Sequence, residues 1–479
     1  MLLYSLKRFK VFSIINTLTM LSLVAGCGSG GSSGDNAGGA PTPRPASSVS
    51  GSNDTDYGYN GVELLESEDN YAARQYSPYA SVLKDCVLVS TVAESCPVSK
   101  LPFLGDGNVT PTIDQIMDRT IVSHNWMALR FEEVLRSAPD TLLHMFSSIT
   151  VVQISSKVRP SYYTSLTGAI HLDPNFLWTT VDEKLTIDTA PDYREGFGND
   201  LQFWFLTTLR DAAGEKLIPF FSLLDNSVRT VEDIKLSTNR LLFHELTHAA
   251  DSMPLNKLSS IDQSLSASEA IRATSDDRSS KRLRTLEPLI SETLYGIAQV
   301  RWRGREATPA QIATTPVDAG MSMSTDGAAV LYGYLTQYED LAELVTTVLM
   351  GFHYDASTNV AFVQKPADTE DFKCDELIVG WGQRNRLADP LVRERARLAT
   401  ELVVKMTPEL RAYLDNVLGN VELMDTSLDW CEAQKPNIIV AGSEQARSKQ
   451  GQSYPRSGPL FREMLLEENR KHPGRLIYD

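Results

Sequence analysis

The segment Leu241-Leu242-Phe243-His244-Glu245-Leu246-Thr247-His248-Ala249-Ala250-Asp251 contains two histidines four residues apart. On a helix, side chains at positions i and i+4 project from one face, so the two imidazoles can converge on one metal ion. Apolar residues recur at helical spacing through the segment, and Pro254 after it predicts that the helix ends there. Ser237 or Thr238 is expected to cap the start of this helix.

Glu245 follows the first histidine directly. Two imidazole ligands leave room on a tetrahedral zinc ion for a third protein ligand and a water, whose pKa the metal lowers. A neighbouring carboxylate can accept the proton of that water. The pattern therefore predicts a Zn²⁺ site with His244 and His248 as ligands and Glu245 as the general base of peptide hydrolysis. The alternative is a buried helix in which both histidines only make hydrogen bonds.

Two segments offer the third ligand. In the first, Thr336 can cap a helix on which Glu339 and Glu343 share a face, although Glu339 at this spacing is equally typical of a capping box. The second candidate is Glu269, which follows His248 by 21 positions. Glu343 and Asp251 are candidates for orienting an imidazole, or for a place on the surface.

The motifs H-E-x-x-H-A-x-D, from His244 to Asp251, and Y-G-x-x-x-x-x-E-x-x-A-E, from Tyr332 to Glu343, resemble those of gluzincin metallopeptidases related to anthrax toxin lethal factor. The resemblance implies Glu339 as the third zinc ligand and Tyr332 as the hydroxyl that stabilises the oxyanion. The interval of 91 positions between His248 and Glu339 is longer than expected for this group, and a helical insertion at about 255–325 would account for it.

The Glu269 alternative resembles thermolysin-like enzymes, whose metal helix also reads H-E-L-T-H-A. Those enzymes carry an aspartate four residues after the glutamate, whereas position 273 here is alanine. Glu339 is therefore the favoured third ligand, and Glu269 stays open as the alternative.

Upstream of the metal helix, helical spacing predicts one long helix from about Thr112 to Arg136, and 149–154 is a β-branched strand candidate. The run Gly168–Leu172, ended by Pro174, predicts another strand. Metallopeptidases use a strand in this place as an exposed edge on which an extended substrate lies, so we interpret this run as the substrate-edge strand. An ordinary internal strand is the alternative.

The first 26 residues have the composition of an export signal. Basic residues within the first ten precede an apolar run at 11–23, and Val24-Ala25-Gly26-Cys27 is similar to the cleavage site of bacterial lipoproteins. The resemblance implies that Cys27 is lipidated and anchors the protein in a lipid bilayer of the cell envelope. Gly28, rather than aspartate, in the next position implies the outer membrane.

The four remaining cysteines are expected to form disulfides, because an exported protein reaches an oxidising compartment. Sequence proximity favours Cys86 with Cys96 and Cys374 with Cys431. Free buried thiols are the alternative.

The formal net charge is −16, and removal of the leader lowers it to about −19. No basic patch is available to neutralise phosphates, so a nucleic-acid partner is not expected.

The predicted organisation is an α+β protein with a zincin-like core, a small mixed sheet and a largely helical downstream region. Its segments are a signal peptide at 1–26, a Gly/Ser/Pro tether at 27–56, an upstream α/β region at 57–236, a helical zinc-binding region at 237–435 and a polar tail at 436–479. The function expected is that of a zinc metalloendopeptidase acting on polypeptides. The rival is a cell-envelope interaction lipoprotein that keeps the zincin shape without turnover.

Overall fold

The computed structural model describes residues 70–107, 109–190, 192–221, 228–416, 419–435 and residue 462. The leader with Cys27, the tether and all but one residue of the predicted tail lie outside these ranges. No helix within them has the length and apolar character needed to cross a bilayer. Helices and sheets are combined in this part of the chain, so the α+β class is confirmed.

The elements before the metal helix are β1 (Tyr71–Ala72), α1 (Ala80–Val87), α2 (Ile113–Asp118), β2 (Thr120–Val122), α3 (Asn125–Arg136), α4 (Asp140–Met145), β3 (Val152–Ile154), β4 (Tyr162–Thr164), β5 (Ala169–Leu172) and α5 (Val181–Leu185). Their strands form one mixed sheet in the order β1-β2-β3-β5-β4. The central strands β2, β3 and β5 are parallel, and β1 and β4 run antiparallel to their neighbours at the two edges.

The single helix predicted from about 112 to 136 is wrong. Residues 113–136 form two helices separated by β2, whose three residues are fully buried between β1 and β3. Thr120, Ile121 and Val122 are all β-branched, and burial in the sheet outweighs the helical spacing of the apolar residues around them.

The substrate-edge interpretation of Gly168–Leu172 is also wrong. A strand does form there, as β5, but it pairs with β3 on one side and with β4 on the other. Gly168 has a φ of +71° and ends the tight connection from β4, which places Tyr162–Thr164 along the outer side of β5. The strand at this edge of the sheet is therefore β4, not β5.

The remaining elements are α6 (Val231–Ser252), α7 (Ala267–Ala273), α8 (Ser279–Leu286), α9 (Glu292–Arg303), α10 (Pro309–Ala313), α11 (Pro316–Ser324), α12 (Gln337–Tyr354), α13 (Pro390–Val403), α14 (Pro408–Asn416) and α15 (Trp430–Ala433), with strands β6 (Phe203–Arg210), β7 (Ser357–Gln364), β8 (Val379–Arg384) and β9 (Glu422–Leu423). These strands form a second, antiparallel sheet in the order β6-β7-β8-β9. The downstream region is thus less helical than expected, while the interval before α12 is helical as predicted.

Helix α6 begins six residues earlier than Ser237, the first predicted cap. Thr230 caps it in a reciprocal arrangement with Asp233, whose carboxylate accepts from the backbone N–H of Thr230 at 2.7 Å. Ser237 and Thr238 lie inside the helix, where their hydroxyls donate to the carbonyl of Ile234. The helix ends at Ser252, just before Pro254, as predicted.

Both predicted disulfides are present in the structure. Cys86 and Cys96 join α1 to the segment after it, and Cys374 and Cys431 join the connection between β7 and β8 to α15. This agrees with the pairing expected from sequence proximity.

Candidate metal centre

The two histidines of the motif lie in the fully buried part of α6. Every residue of this helix from Leu241 to Ser252 is buried, with α3, α4 and β4 packed against it. His244 and His248 face α12, the helix that makes the most extensive contact with α6. The helical spacing of four residues places both imidazoles on this one face, as predicted.

Glu339 comes from the first turn of α12. Thr336 caps this helix and accepts a hydrogen bond from the backbone N–H of Glu339 at 3.2 Å, as predicted. The Glu339 side chain does not complete a capping box. It is buried and directed at the histidines of α6, which rules out capping as its role.

The donor atoms of these three residues form a compact triangle. Nε2 of His244 lies 3.0 Å from Oε2 of Glu339 and 3.1 Å from Nε2 of His248, and the third side, from His248 Nε2 to Glu339 Oε2, is 3.3 Å. Ligands about 2.0 Å from a tetrahedral zinc ion are about 3.3 Å from one another. The three residues can therefore hold a metal ion of this kind with little movement.

The surrounding carboxylates favour a positive charge at this place. Burial alone would lower the pKa of His244, but hydrogen bonds to Glu339 and Glu343 outweigh it and raise the pKa to about 10. Burial opposes ionisation of Glu339, and the two imidazoles outweigh it, so the pKa of this carboxyl is lowered. A metal cation would occupy the place that a proton takes in its absence.

Glu343 and Asp251 are buried behind the histidines and do not lie on the surface. Oε1 of Glu343 is 3.4 Å from Nδ1 of His244, and its other oxygen is 3.3 Å from the guanidinium of Arg240. Asp251 accepts hydrogen bonds from the backbone N–H and the hydroxyl of Ser280, at 2.8 and 2.7 Å. Glu343 is therefore placed to orient the imidazole of His244.

Glu245 is fully buried beside this cluster. Neither of its carboxylate oxygens has a hydrogen-bond partner of normal geometry among the described residues. Burial raises the pKa of Glu245 to about 8, while His244 and the nearby backbone of Tyr163 in β4 act to lower it. A buried carboxylate with no side-chain partner among the described residues is costly unless another group completes its surroundings, so it marks a place for a water molecule or a substrate.

Tyr332 lies in the single 3₁₀ turn Leu331–Tyr334 that precedes α12. Its hydroxyl donates to Oε1 of Glu339 at 3.1 Å, and its ring is 6.2 Å from that of His244. Burial and the neighbouring Glu339 raise the pKa of Tyr332 well above its ordinary value, while Arg194 acts to lower it. The hydroxyl is therefore a proton-bearing donor at neutral pH.

Glu269, the alternative third ligand, is not part of this cluster. It is exposed on α7, where its carboxylate accepts from the backbone N–H and hydroxyl of Ser266 at 2.9 and 2.8 Å. These contacts form a capping box, which explains a glutamate at that position.

Sequence reasoning did not identify β4 or Arg194 as neighbours of the site. The run Ser161-Tyr162-Tyr163-Thr164 is rich in β-forming residues, and that composition was the available signal for β4. No local pattern distinguishes Arg194 from other arginines of the chain.

Comparison of the chain with protein-family models, curated proteins and solved structures finds no match. Any function must therefore be argued from the geometry of this cluster.

Proposed function

We propose that the protein is a zinc-dependent metallopeptidase of the gluzincin type, held in the cell envelope by a lipidated Cys27. One observation carries the proposal. The donor atoms of His244, His248 and Glu339 converge within 3.3 Å of one another from two helices, and the buried carboxylate of Glu245 lies beside them with no side-chain partner among the described residues. A structural hydrogen-bond network among the three donors does not require this further buried carboxylate.

The three converging residues would hold the zinc ion. When bound there, zinc supplies Lewis acidity that polarises a carbonyl group and lowers the pKa of water. Glu245 accepts the proton of the attacking water and transfers it to the leaving amine. Its burial suits this role, because a raised pKa makes the carboxylate a stronger base.

The hydroxyl of Tyr332 donates a hydrogen bond to the oxyanion that develops at the scissile carbonyl. In the structure this hydroxyl donates to Oε1 of Glu339, and a substrate oxygen would replace that acceptor. Because burial keeps the hydroxyl protonated, it remains a donor across the neutral range.

The outer edge of β4 supplies the surface for an extended peptide. Tyr163 of this strand lies next to Glu245, so a substrate strand paired with β4 passes the general base. Backbone hydrogen bonds along a sheet edge hold a peptide extended without reading its sequence.

The test is a combined measurement of zinc and of peptide cleavage on a soluble form that begins at Gly28. We expect about one zinc per chain by atomic emission, and cleavage of unstructured polypeptide that Glu245→Gln abolishes. Zinc without cleavage of any peptide in a broad library would favour the rival reading, an interaction lipoprotein without turnover. Absence of zinc from both the unsubstituted soluble form and its Glu245→Gln variant would overturn the proposal.

The anchor has its own test. Palmitate labelling of the full chain should disappear in Cys27→Ser, which should also accumulate as an uncleaved precursor. Normal processing of that variant would contradict lipidation at Cys27.

A further inference from the structure

A cavity of about 450 Å³ opens next to Tyr332. Its apolar wall consists of aromatic side chains from β6, from α9 and from the loop before β6, among them Phe197, Phe203, Trp204 and Trp302. The ring of Trp302 lies 5.0 Å from that of Tyr332, and Leu331, the residue before this tyrosine, also lines the cavity. The cavity therefore borders the turn that carries Tyr332, on the side of Leu331 and Trp302.

Four arginines line the cavity, and the structure gives three of them a carboxylate: Arg159 with Asp173 at 3.5 Å, Arg194 with Asp192 at 2.5 Å, and Arg462 with Glu370 at 2.7 Å. Arg301 differs from the others. Its guanidinium has no carboxylate within 4.0 Å among the described residues, and its hydrogen bond is to the carbonyl of Phe197 at 3.4 Å. Glu195 lines the cavity as well, but its side chain is exposed to solvent.

The surroundings of Arg301 are unfavourable for a cation without a counter-ion. Burial lowers the pKa of Arg301 to about 10, and the neighbouring guanidinium of Arg194 acts in the same direction, while Asp192 opposes both. A partly buried charge is stabilised when an ion of opposite sign approaches it, and an arginine fork binds a carboxylate through two hydrogen bonds. The apolar wall strengthens that attraction because it excludes water.

The stem of Arg301 is held in place by the loop that carries Phe197. A Cβ atom at Gly198, whose φ is +74°, would lie 3.1 Å from Cδ of Arg301. At the other end of the contact, a Cβ atom at Gly304 would lie 2.6 Å from Cζ of Phe197. The close approach at both glycines fixes the position of the loop against α9, where Arg301 lines the cavity.

We propose that Arg301 binds a carboxylate of the substrate in this cavity, either an acidic side chain or the C-terminal carboxylate of a peptide. The inference rests on the proposed peptidase function, since it assigns a selectivity to that same site. It makes Arg301 a specificity-determining residue that contacts substrate away from the bond to be cleaved.

The test measures binding, so that it does not depend on turnover. The protein is the zinc-loaded form beginning at Gly28 with Glu245→Gln, which prevents cleavage. The probes are acetylated hexapeptide amides of alanine and leucine with one Glu moved through the six positions, the same peptides with Gln, and the parent peptide with a free C-terminal carboxylate. Titration calorimetry gives each Kd.

We expect at least one Glu peptide, or the peptide with the free C-terminus, to bind about ten- to a hundredfold more tightly than its uncharged counterpart. Arg301→Gln should remove most of that difference, and Arg301→Lys should restore part of it. Arg303→Gln is the matched control, because Arg303 is exposed on the same helix and should leave the difference unchanged. Which peptide shows the difference distinguishes a side chain from a C-terminus.

Equal binding of charged and uncharged peptides to the Arg301 protein would overturn the inference, even if the wild type cleaves peptides. A preference for carboxylate that Arg301→Gln leaves intact would overturn it as well. Tight, Arg301-dependent binding by a protein whose unsubstituted form never cleaves peptides would support the carboxylate site in the cavity and contradict the proposed peptidase activity. The comparison of Glu with Gln peptides on the Glu245→Gln protein that retains Arg301 stands even if the Arg301 variants fold poorly.

Discussion

The hydroxyl of Tyr332 lies 3.1 Å from Oε1 of Glu339, while Oε2 of the same carboxylate lies within 3.3 Å of both motif imidazoles. The two oxygens of Glu339 thus serve different neighbours. Loss of the hydroxyl leaves the ligand oxygen and both imidazoles in place. The contact with the hydroxyl is therefore separable from the metal cluster.

Tyr332→Phe should lower kcat by about 100-fold, because the hydroxyl acts on the transition state, and should leave zinc content and KM nearly unchanged. Steady-state kinetics together with metal analysis check this. Tyr334→Phe is the matched control, since Tyr334 lies in the same 3₁₀ turn with its hydroxyl near Asp326. A large loss of zinc in Tyr332→Phe would show that the hydroxyl supports the ligand and not the reaction.

Glu245→Gln should retain zinc and lose turnover by several orders of magnitude. The amide has the same shape but cannot accept a proton, and Glu245 touches none of the three converging donor atoms. Parallel measurements of zinc content and kcat separate the two effects. Retention of more than a tenth of the wild-type rate would exclude Glu245 as the general base.

Glu339→Ala and His248→Ala should both lose zinc or bind it far more weakly, because each removes a donor atom of the triangle. Glu269→Gln should keep full zinc, since its carboxylate caps α7. Competition with a chelator of known affinity measures the three variants on one scale. The opposite ranking would establish the thermolysin-like assignment of the third ligand.

Glu343→Gln should weaken zinc binding by about tenfold without removing the metal. Its carboxylate lies 3.4 Å from Nδ1 of His244 on the side away from the cluster, where it holds the imidazole in one orientation and increases its basicity. The same chelator competition gives the result. Unchanged affinity would mean that the packing of α6 against α12 alone orients the ring.

His171 should make the fold sensitive to acid. The ring is buried between Gln153, to which it is hydrogen-bonded, and Tyr162, on which it stacks at 4.3 Å, and burial lowers the pKa of His171 to about 3. Above pH 6.5 the ring is neutral in both states. Below it, the unfolded chain takes up a proton that the folded chain does not, so the free energy of unfolding falls by about 1.4 kcal/mol per pH unit.

The measurement is urea unfolding at pH 7.5 and pH 5.0. His171→Asn keeps a donor to Gln153 and removes the titration, so its loss of stability between these two pH values should be smaller than that of the wild type. Identical losses would show that other groups dominate this pH range, such as His353 and His144, whose pKa values burial also lowers.

The metal cluster is the part of the molecule that local sequence patterns predict best. The spacing of His244 and His248 fixes their shared face, and Thr336 in a cap position starts the helix that carries Glu339. Both patterns depend only on residues within one or two turns of a helix. The packing of α6 against α12 is a tertiary contact. The sequence suggested it only through the family resemblance.

The strands were harder to predict because they are short. Three residues of β2 or β4 contain no measurable alternation, and their identity depends on partners elsewhere in the chain. The same limit applies to Arg301. Its missing counter-ion is visible only once Phe197, Trp302 and the three paired arginines are placed around it.

The segment 255–325 supplies none of the three donor atoms, because α6 and α12, which carry them, pack directly on each other. The helices of this segment connect the end of α6 to the start of α12. Changes in their number or length would therefore leave the contact between α6 and α12 in place. Covalent continuity through this interval is not required for the triangle to form. A chain cut between Arg303 and Glu306, where the backbone is exposed, should hold its two pieces together through that helix pair. Sequence changes in this segment would alter which substrates can approach the three donor atoms, while the arrangement of the donor atoms stays the same.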